Sequence, residues 1–207
     1  MSDRLFEDRA HAGRALAAAL EPWRGTDAVV CGVPRGGVVV AAEVARALGL
    51  WLEVVVVRKL GSTSNEELAV GAIAAGVRIV EDDSLRRAGM RAEQLETVEQ
   101  HARAELERRE ALFGGWSRSL RGLTAIVADD GVATGSTALA ACRSVRAREA
   151  ASVVLATPVA PVRWSPGADA DEYVCLHAPP EFWAVGQFYS DFRQTTDAEV
   201  LAALRRS

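Results

Sequence analysis

The chain has 207 residues, 49% of them hydrophobic and 25% charged, with 24 Lys+Arg against 28 Asp+Glu for a formal net charge of −4 at pH 7. This is an ordinary globular composition, long enough for one domain with elaborations. The acidic balance argues against a general nucleic-acid binder, and no apolar run reaches the roughly 18–20 residues that span a bilayer. The N-terminus is charged from the start and has no signal-peptide core. Cys31, Cys142 and Cys175 are too few and too widely spaced for a disulfide framework or a zinc site. These absences predict a cytoplasmic protein with no membrane partner.

Apolar residues at helical spacing over 4–20 predict a helix that Pro22 ends. A short buried strand follows at 28–32, then a loop at 33–37 and a helix at 38–48 closed by Gly49. Four consecutive valines within 51–58 predict a strand covered on both faces, as in a parallel sheet. Strand, helix and strand at this spacing form a βαβ unit. The polar segment 60–67 has no periodicity and reads as a mobile loop. Residues 68–80 read as a hairpin, and 84–113 as an Arg- and Glu-rich helix with Gly89 where it would divide. A strand at 123–128 precedes a helix at 136–148, and further strands follow at 152–158 and 171–176. An aromatic-rich irregular segment covers 178–192. The terminal helix at 196–206 opens with Thr196 and Glu199 in capping-box spacing. The alternation predicts an α/β class with an open, mainly parallel sheet flanked by helices. In such sheets ligands lie beyond the carboxyl ends of the strands, so the loops at 33–37, 59–67 and 129–137 should converge on one cleft.

The stretch 125–137 carries the clearest chemistry. An apolar run ends in Asp129 and Asp130, and the small-residue loop Gly131-Val132-Ala133-Thr134-Gly135-Ser136-Thr137 leads into a helix. Such a turn offers free backbone N–H groups and the positive end of a helix dipole to an anion, and its hydroxyls add donors. The carboxylates repel that same anion and suit hydroxyls or a metal ion. A ligand with a phosphate beside a diol fits both halves, and a ribose 5-phosphate is such a ligand. The loop is neither a Walker A sequence nor G-x-G-x-x-G. Lys59 is the only lysine in the chain, so its position points to a need for a compact charge on a flexible stem.

These three loops together resemble the type I phosphoribosyltransferases. The strand followed by Asp129-Asp130-Gly131-Val132-Ala133-Thr134-Gly135-Ser136-Thr137 looks like that family's phosphoribosyl diphosphate (PRPP) signature over its whole length. Gly32-Val33-Pro34-Arg35-Gly36-Gly37 looks like its pyrophosphate loop, and Arg58-Lys59-Leu60 like the strand end that adds a basic residue beside it. The "PRGG" and "VRKLG" segments match a bacterial group whose acceptor is not identifiable from sequence. The resemblance implies a type I fold over 1–207, with a core at about 28–158, a hood from about 1–26 and 177–207, and a β-hairpin flexible loop. It implies transfer of the 5-phosphoribosyl group from PRPP to a nitrogenous base, with Mg²⁺ as cofactor and release of pyrophosphate.

The resemblance also assigns roles. Asp129 and Asp130 would hold the ribose hydroxyls, directly or through Mg²⁺, and 133–137 would cradle the 5-phosphate. Gly36 and Gly37, with Arg35 and Lys59, would meet the pyrophosphate, where the family often has a strained, sometimes cis, peptide. Trp183, with Phe182 and Phe188, would stack on the base, and a homodimer is common among members. Two departures stand out. Ala133 fills a position where members acting on 6-oxopurines carry Asp, so a proton acceptor would come from elsewhere, with Glu66 and Glu67 as candidates. Gly131 is smaller than the usual residue and predicts a looser loop. His11 and His101 read as surface residues, and His177 as the start of the hood. The alternative reading is a PRPP- or nucleotide-binding regulatory protein on the same fold.

Overall fold

The computed structural model describes residues 4–62, 69–80, 82–114 and 116–205. Helix α1 (Arg9–Ala19) begins where the Asp8 side chain accepts a hydrogen bond from the His11 N–H at 2.7 Å, a side-chain N-cap. It starts later than the apolar spacing over 4–20 predicts. Leu5 and Phe6 are spent elsewhere: both backbone N–H groups donate to the Phe188 carbonyl, at 2.8 and 3.0 Å. Strand β1 (Val29–Gly32) leads into α2 (Gly36–Leu48), which Gly49 closes at a φ of 69°.

The valine-rich stretch 51–58, predicted as one strand, is two. Strand β2 (Trp51–Val54) pairs parallel with β1 and runs out of partner where Val54 meets Gly32. Strand β3 (Val57–Gly61) then pairs antiparallel with β4 (Ala69–Ala74), which pairs in turn with β5 (Val77–Val80). Buried valines suit both sheets equally, so hydrophobicity alone does not mark the change of partner. The predicted hairpin is therefore the outer part of a three-stranded sheet, and Leu60 and Gly61 belong to its first strand.

Helices α3 (Asp82–Ala88) and α4 (Ala92–Phe113) divide at Gly89, which has a φ of 61°. Strand β6 (Thr124–Ala128), helix α5 (Ser136–Ala147), strand β7 (Ser152–Val159) and strand β8 (Glu172–His177) follow. Helix α6 (Asp197–Leu204) opens with the expected capping box, Glu199 N–H donating to Thr196 Oγ1 at 3.2 Å and Thr196 N–H to Glu199 Oε2 at 2.8 Å.

Among the described residues, the main sheet has five parallel strands in the order β2-β1-β6-β7-β8. Alternate residues of β1, β6 and β7 feed two layers. Cys31, Val127 and Leu155 pack with α5, whereas Val30, Ile126 and Val154 pack with α1 and α2. A parallel sheet covered on both faces explains why these strands read as unbroken apolar runs. No helix among the described residues is long and apolar enough to cross a membrane.

Ile126 is fully buried in the central strand. Ile126→Ala should cost about 2–5 kcal/mol, read as a lower urea midpoint at unchanged m; an unchanged midpoint would show that this layer carries no packing load.

Candidate active site

Because β1 and β6 run side by side in parallel, their carboxyl ends deliver the 33–35 and 129–135 segments to the same edge. One cavity of about 1010 Å³ opens there. It takes in Arg35, Gly36 and Lys59, then Asp129, Asp130, Gly131 and Ala133, and finally Thr134, Gly135 and Thr137. Two of the residues expected in the site lie just behind it. Ser136 is buried, and Gly37 packs against Asp129, where an added Cβ would sit 2.8 Å from Oδ1.

The carboxylate pair is held tightly and is half-buried at the cavity wall. Asp129 Oδ1 accepts from the Asp130 N–H at 2.9 Å, and Asp130 Oδ2 accepts from Arg9 Nε at 2.6 Å. Burial pushes the pKa of both carboxyls up. For Asp129 the neighbouring Asp130 charge adds to this, whereas Arg9 works against it at Asp130. Two half-buried carboxylates side by side have a strong demand for positive charge or hydroxyl donors. Glycine makes the packing possible: a Cβ on Gly36 would lie 1.9 Å from Asp130 Oδ2.

Helix α5 begins at the far side of the cavity. No side chain caps its N-terminus, and Gly135 enters it at a φ of 93° with the Trp164 indole where a Cβ would be. Thr134 and Ser136 hydroxyls lie 3.3 Å apart, and Thr137 Oγ1 is buried with no partner among the described residues. Uncapped N–H groups, a helix dipole and an orphaned hydroxyl suit an oxyanion. Helix α2 begins opposite, also without a side-chain cap, after a cis Pro34–Arg35 peptide. Arg35 reaches Asp197 of α6 at 3.7 Å.

Lys59 and Arg58 are neighbours on β3, yet Lys59 is exposed and Arg58 half-buried. Arg58 Nε is buried and unpartnered among the described residues, and burial, followed by the Arg109 charge, pushes its pKa down. Thr97, His101, Glu105 and Arg109 of α4 line the same cavity. Hydrogen bonds from Arg108 and Arg109 hold Glu105 at a pKa of about 2. His101 is exposed, as expected of a surface residue, but its surface is the wall of the cleft.

The hood departs most from expectation. Trp183 is 88% exposed and does not line the cavity, and Phe188 is buried core with Phe182 packed on it. Phe192 reaches the cavity instead, but the Arg9 guanidinium lies over its ring, 3.9 Å from the centre, and the Tyr189 ring packs against it at 4.9 Å. His177 is exposed and meets the edge of Phe6. Gly131 is close-packed rather than loose: a Cβ would sit 2.4 Å from Val185 Cγ1. Tyr189 Oη donates to the Asp130 carbonyl at 2.6 Å, which ties the hood to the same loop. Glu66 and Glu67 lie outside the described residues. Sequence reasoning missed Arg9, and with it Thr97, Glu105 and Arg109 of the cavity wall; the structure makes Arg9 the first residue of α1, where a cation faces the positive end of the helix dipole.

No described group of three or more His, Cys, Asp or Glu residues could hold a metal by itself. Asp129 and Asp130 offer hard oxygen donors that fit Mg²⁺, provided a ligand or water completes its shell.

Comparison with known proteins agrees with this geometry. Residues 3–193 match the family described as "Phosphoribosyl transferase domain". The chain is 47% identical over 211 residues to the "Putative phosphoribosyl transferase Rv0571c" of Mycobacterium tuberculosis strain H37Rv, covering 99% of this chain and 47% of that protein. It thus spans about half the length of the curated relatives it matches. The crystal structure of TT1426 from Thermus thermophilus superposes with a TM-score of 0.72 at 40% identity, over 96% of this chain and 97% of that one. A hypothetical protein from Neisseria gonorrhoeae, 13% identical, shares the fold at a TM-score of 0.50 over 86% of this chain and 85% of that one. The chain belongs to the phosphoribosyl transferase domain family.

Proposed function

We propose that the chain transfers the 5-phosphoribosyl group of PRPP to a nitrogenous base in a Mg²⁺-dependent reaction that releases pyrophosphate. The observation that carries this reading is the unpartnered Thr137 hydroxyl at the start of α5, which no described side chain caps, in the same cavity as the adjacent, half-buried Asp129–Asp130 pair. The first suits a phosphate and the second a diol, and one sugar phosphate carries both.

In this reading the α5 N-terminus, Thr134 and Thr137 hold the 5-phosphate, with Ser136 behind them 3.3 Å from the Thr134 hydroxyl, and the two aspartates hold the ribose hydroxyls. The α2 N-terminus, Arg35 and Lys59 face the pyrophosphate. Charge builds on that group as the bond to the ribose C1 breaks, so fixed cations and N–H groups there favour the transition state over the ground state. When bound, Mg²⁺ supplies further positive charge to the leaving oxygens. Asp129 and Asp130 stand where an oxocarbenium-like ribose would gain from negative charge. Ala133 has no proton acceptor to offer the incoming base; Glu66 and Glu67 remain our candidates for that role.

Two outcomes test the assignment. Asp129→Asn combined with Asp130→Asn should lower pyrophosphate release from PRPP by at least about 100-fold, whereas full turnover in the double variant would remove the carboxylates from the reaction. Gly36→Ala should displace the Asp130 carboxylate itself, whose Oδ2 would lie 1.9 Å from the new Cβ, and raise the KM for PRPP at least about tenfold, because an ångström of misplacement is expensive in a positioned site. An unchanged KM in steady-state kinetics would separate the α2 turn from donor binding.

A further inference from the structure

Arg9 joins three parts of the molecule. Its Nε donates to Asp130 Oδ2 at 2.6 Å, its other guanidinium nitrogen donates to the Arg193 carbonyl at 2.9 Å, and its plane lies over Phe192. Asp130 belongs to the loop after β6, whereas Phe192 and Arg193 belong to the hood. Both side chains of the ion pair are largely buried, at 12% and 16% exposed, so their attraction is screened far less than that of a surface pair.

This ion pair occupies an oxygen that the proposed reaction needs. A guanidinium on Asp130 Oδ2 stands where a ribose hydroxyl or a divalent cation would have to be, and two cations on one carboxylate oxygen repel each other. Arg9 has somewhere else to go. A second cavity of about 400 Å³ lies behind it, and Arg9 lines both. Asp8, Glu43, Asp191 and Glu199 line that cavity, against Arg46 and Arg193 as its other guanidiniums. Without Arg9 the balance there is acidic, which suits a displaced cation.

Departure of Arg9 would also bare the hood. The Arg9 guanidinium lies over the Phe192 ring, 3.9 Å from its centre, and the Tyr189 ring packs against it at 4.9 Å. Removing the guanidinium bares ring surface of Phe192, which lines the main cavity.

We propose that Arg9 is a positioning residue: it is the counter-ion of Asp130 before the donor binds, and it turns into the acidic cavity when the sugar takes the carboxylate. The same movement uncovers Phe192 for the acceptor, so donor binding prepares the acceptor half of the cleft. This rests on the phosphoribosyl reading above. A competitor that holds Asp130 lowers apparent donor affinity by the fraction of time it leaves the carboxylate open. A pair closed about nine-tenths of the time costs about tenfold.

The test combines calorimetric titration of PRPP with Mg²⁺ and amide hydrogen exchange over 189–196. Arg9→Met should bind PRPP·Mg²⁺ about three- to tenfold more tightly than the wild type, and Arg9→Lys, which keeps the charge, should stay near the wild type. In the wild-type protein, which needs no variant to fold, PRPP·Mg²⁺ should speed exchange at 191–196 as the Arg193 contact is lost. Weaker or unchanged binding by Arg9→Met, or slower wild-type exchange on ligand addition, would overturn the role of Arg9 and leave the phosphoribosyl reading standing. No binding of PRPP·Mg²⁺ to any of the three proteins would overturn that reading and this role with it.

Discussion

Two adjacent carboxylates at the end of a buried strand create a demand that shapes everything near them. Asp129 and Asp130 are half-buried, and burial pushes both pKa values up. The surrounding structure meets part of that demand, with an N–H on Asp129 and a guanidinium on Asp130. The rest is left for a ligand. Such an arrangement is costly to a fold that gains nothing from it, and the cost falls at the edge of the sheet where parallel α/β proteins bind their ligands.

The same demand explains the glycines. Backbone must come within contact distance of the carboxylates for α1, α2 and the β6 loop to meet, and Gly36 and Gly37 allow it because a Cβ at either would strike an aspartate oxygen. Gly131 does the equivalent service on the hood side, where Val185 fills the space a side chain would take. These glycines are therefore about close approach; only Gly135, at a φ of 93°, is needed for its backbone conformation as well.

Much of this was legible in the sequence, and the limits have physical causes. The strand, loop and helix around 125–137 are local: an apolar run, two carboxylates and small residues announce themselves within one stretch. So are the capping box at Thr196 and the break at Gly89. What escaped were the features that depend on partners far along the chain. The division of 51–58 depends on where β1 ends, 22 residues earlier at Gly32. Arg9 meets Asp130 across 121 residues, and no periodicity carries that information. The aromatic residues of the hood were visible as a composition. Which of them faced the cleft was decided by packing: Phe188 went to the core, Trp183 to solvent, and Phe192 to the cavity.

That packing bears on how an acceptor can be recognised. Among the described aromatic residues, Phe192 is the one that reaches the cavity, and the guanidinium lies over its ring while Arg9 holds Asp130. Around it the hood offers Val185, Gln194 and Thr195, an apolar contact and polar edges but no platform. A flat base entering while Arg9 covers the ring would find little to stack on, whereas one entering after the guanidinium has moved would find a ring. Stacking on an aromatic face is worth about 0.5–1.5 kcal/mol beyond the area buried, enough to favour one order of arrival over the other. The side chain that balances the charge of Asp130 would then also decide when the second half of the cleft becomes available.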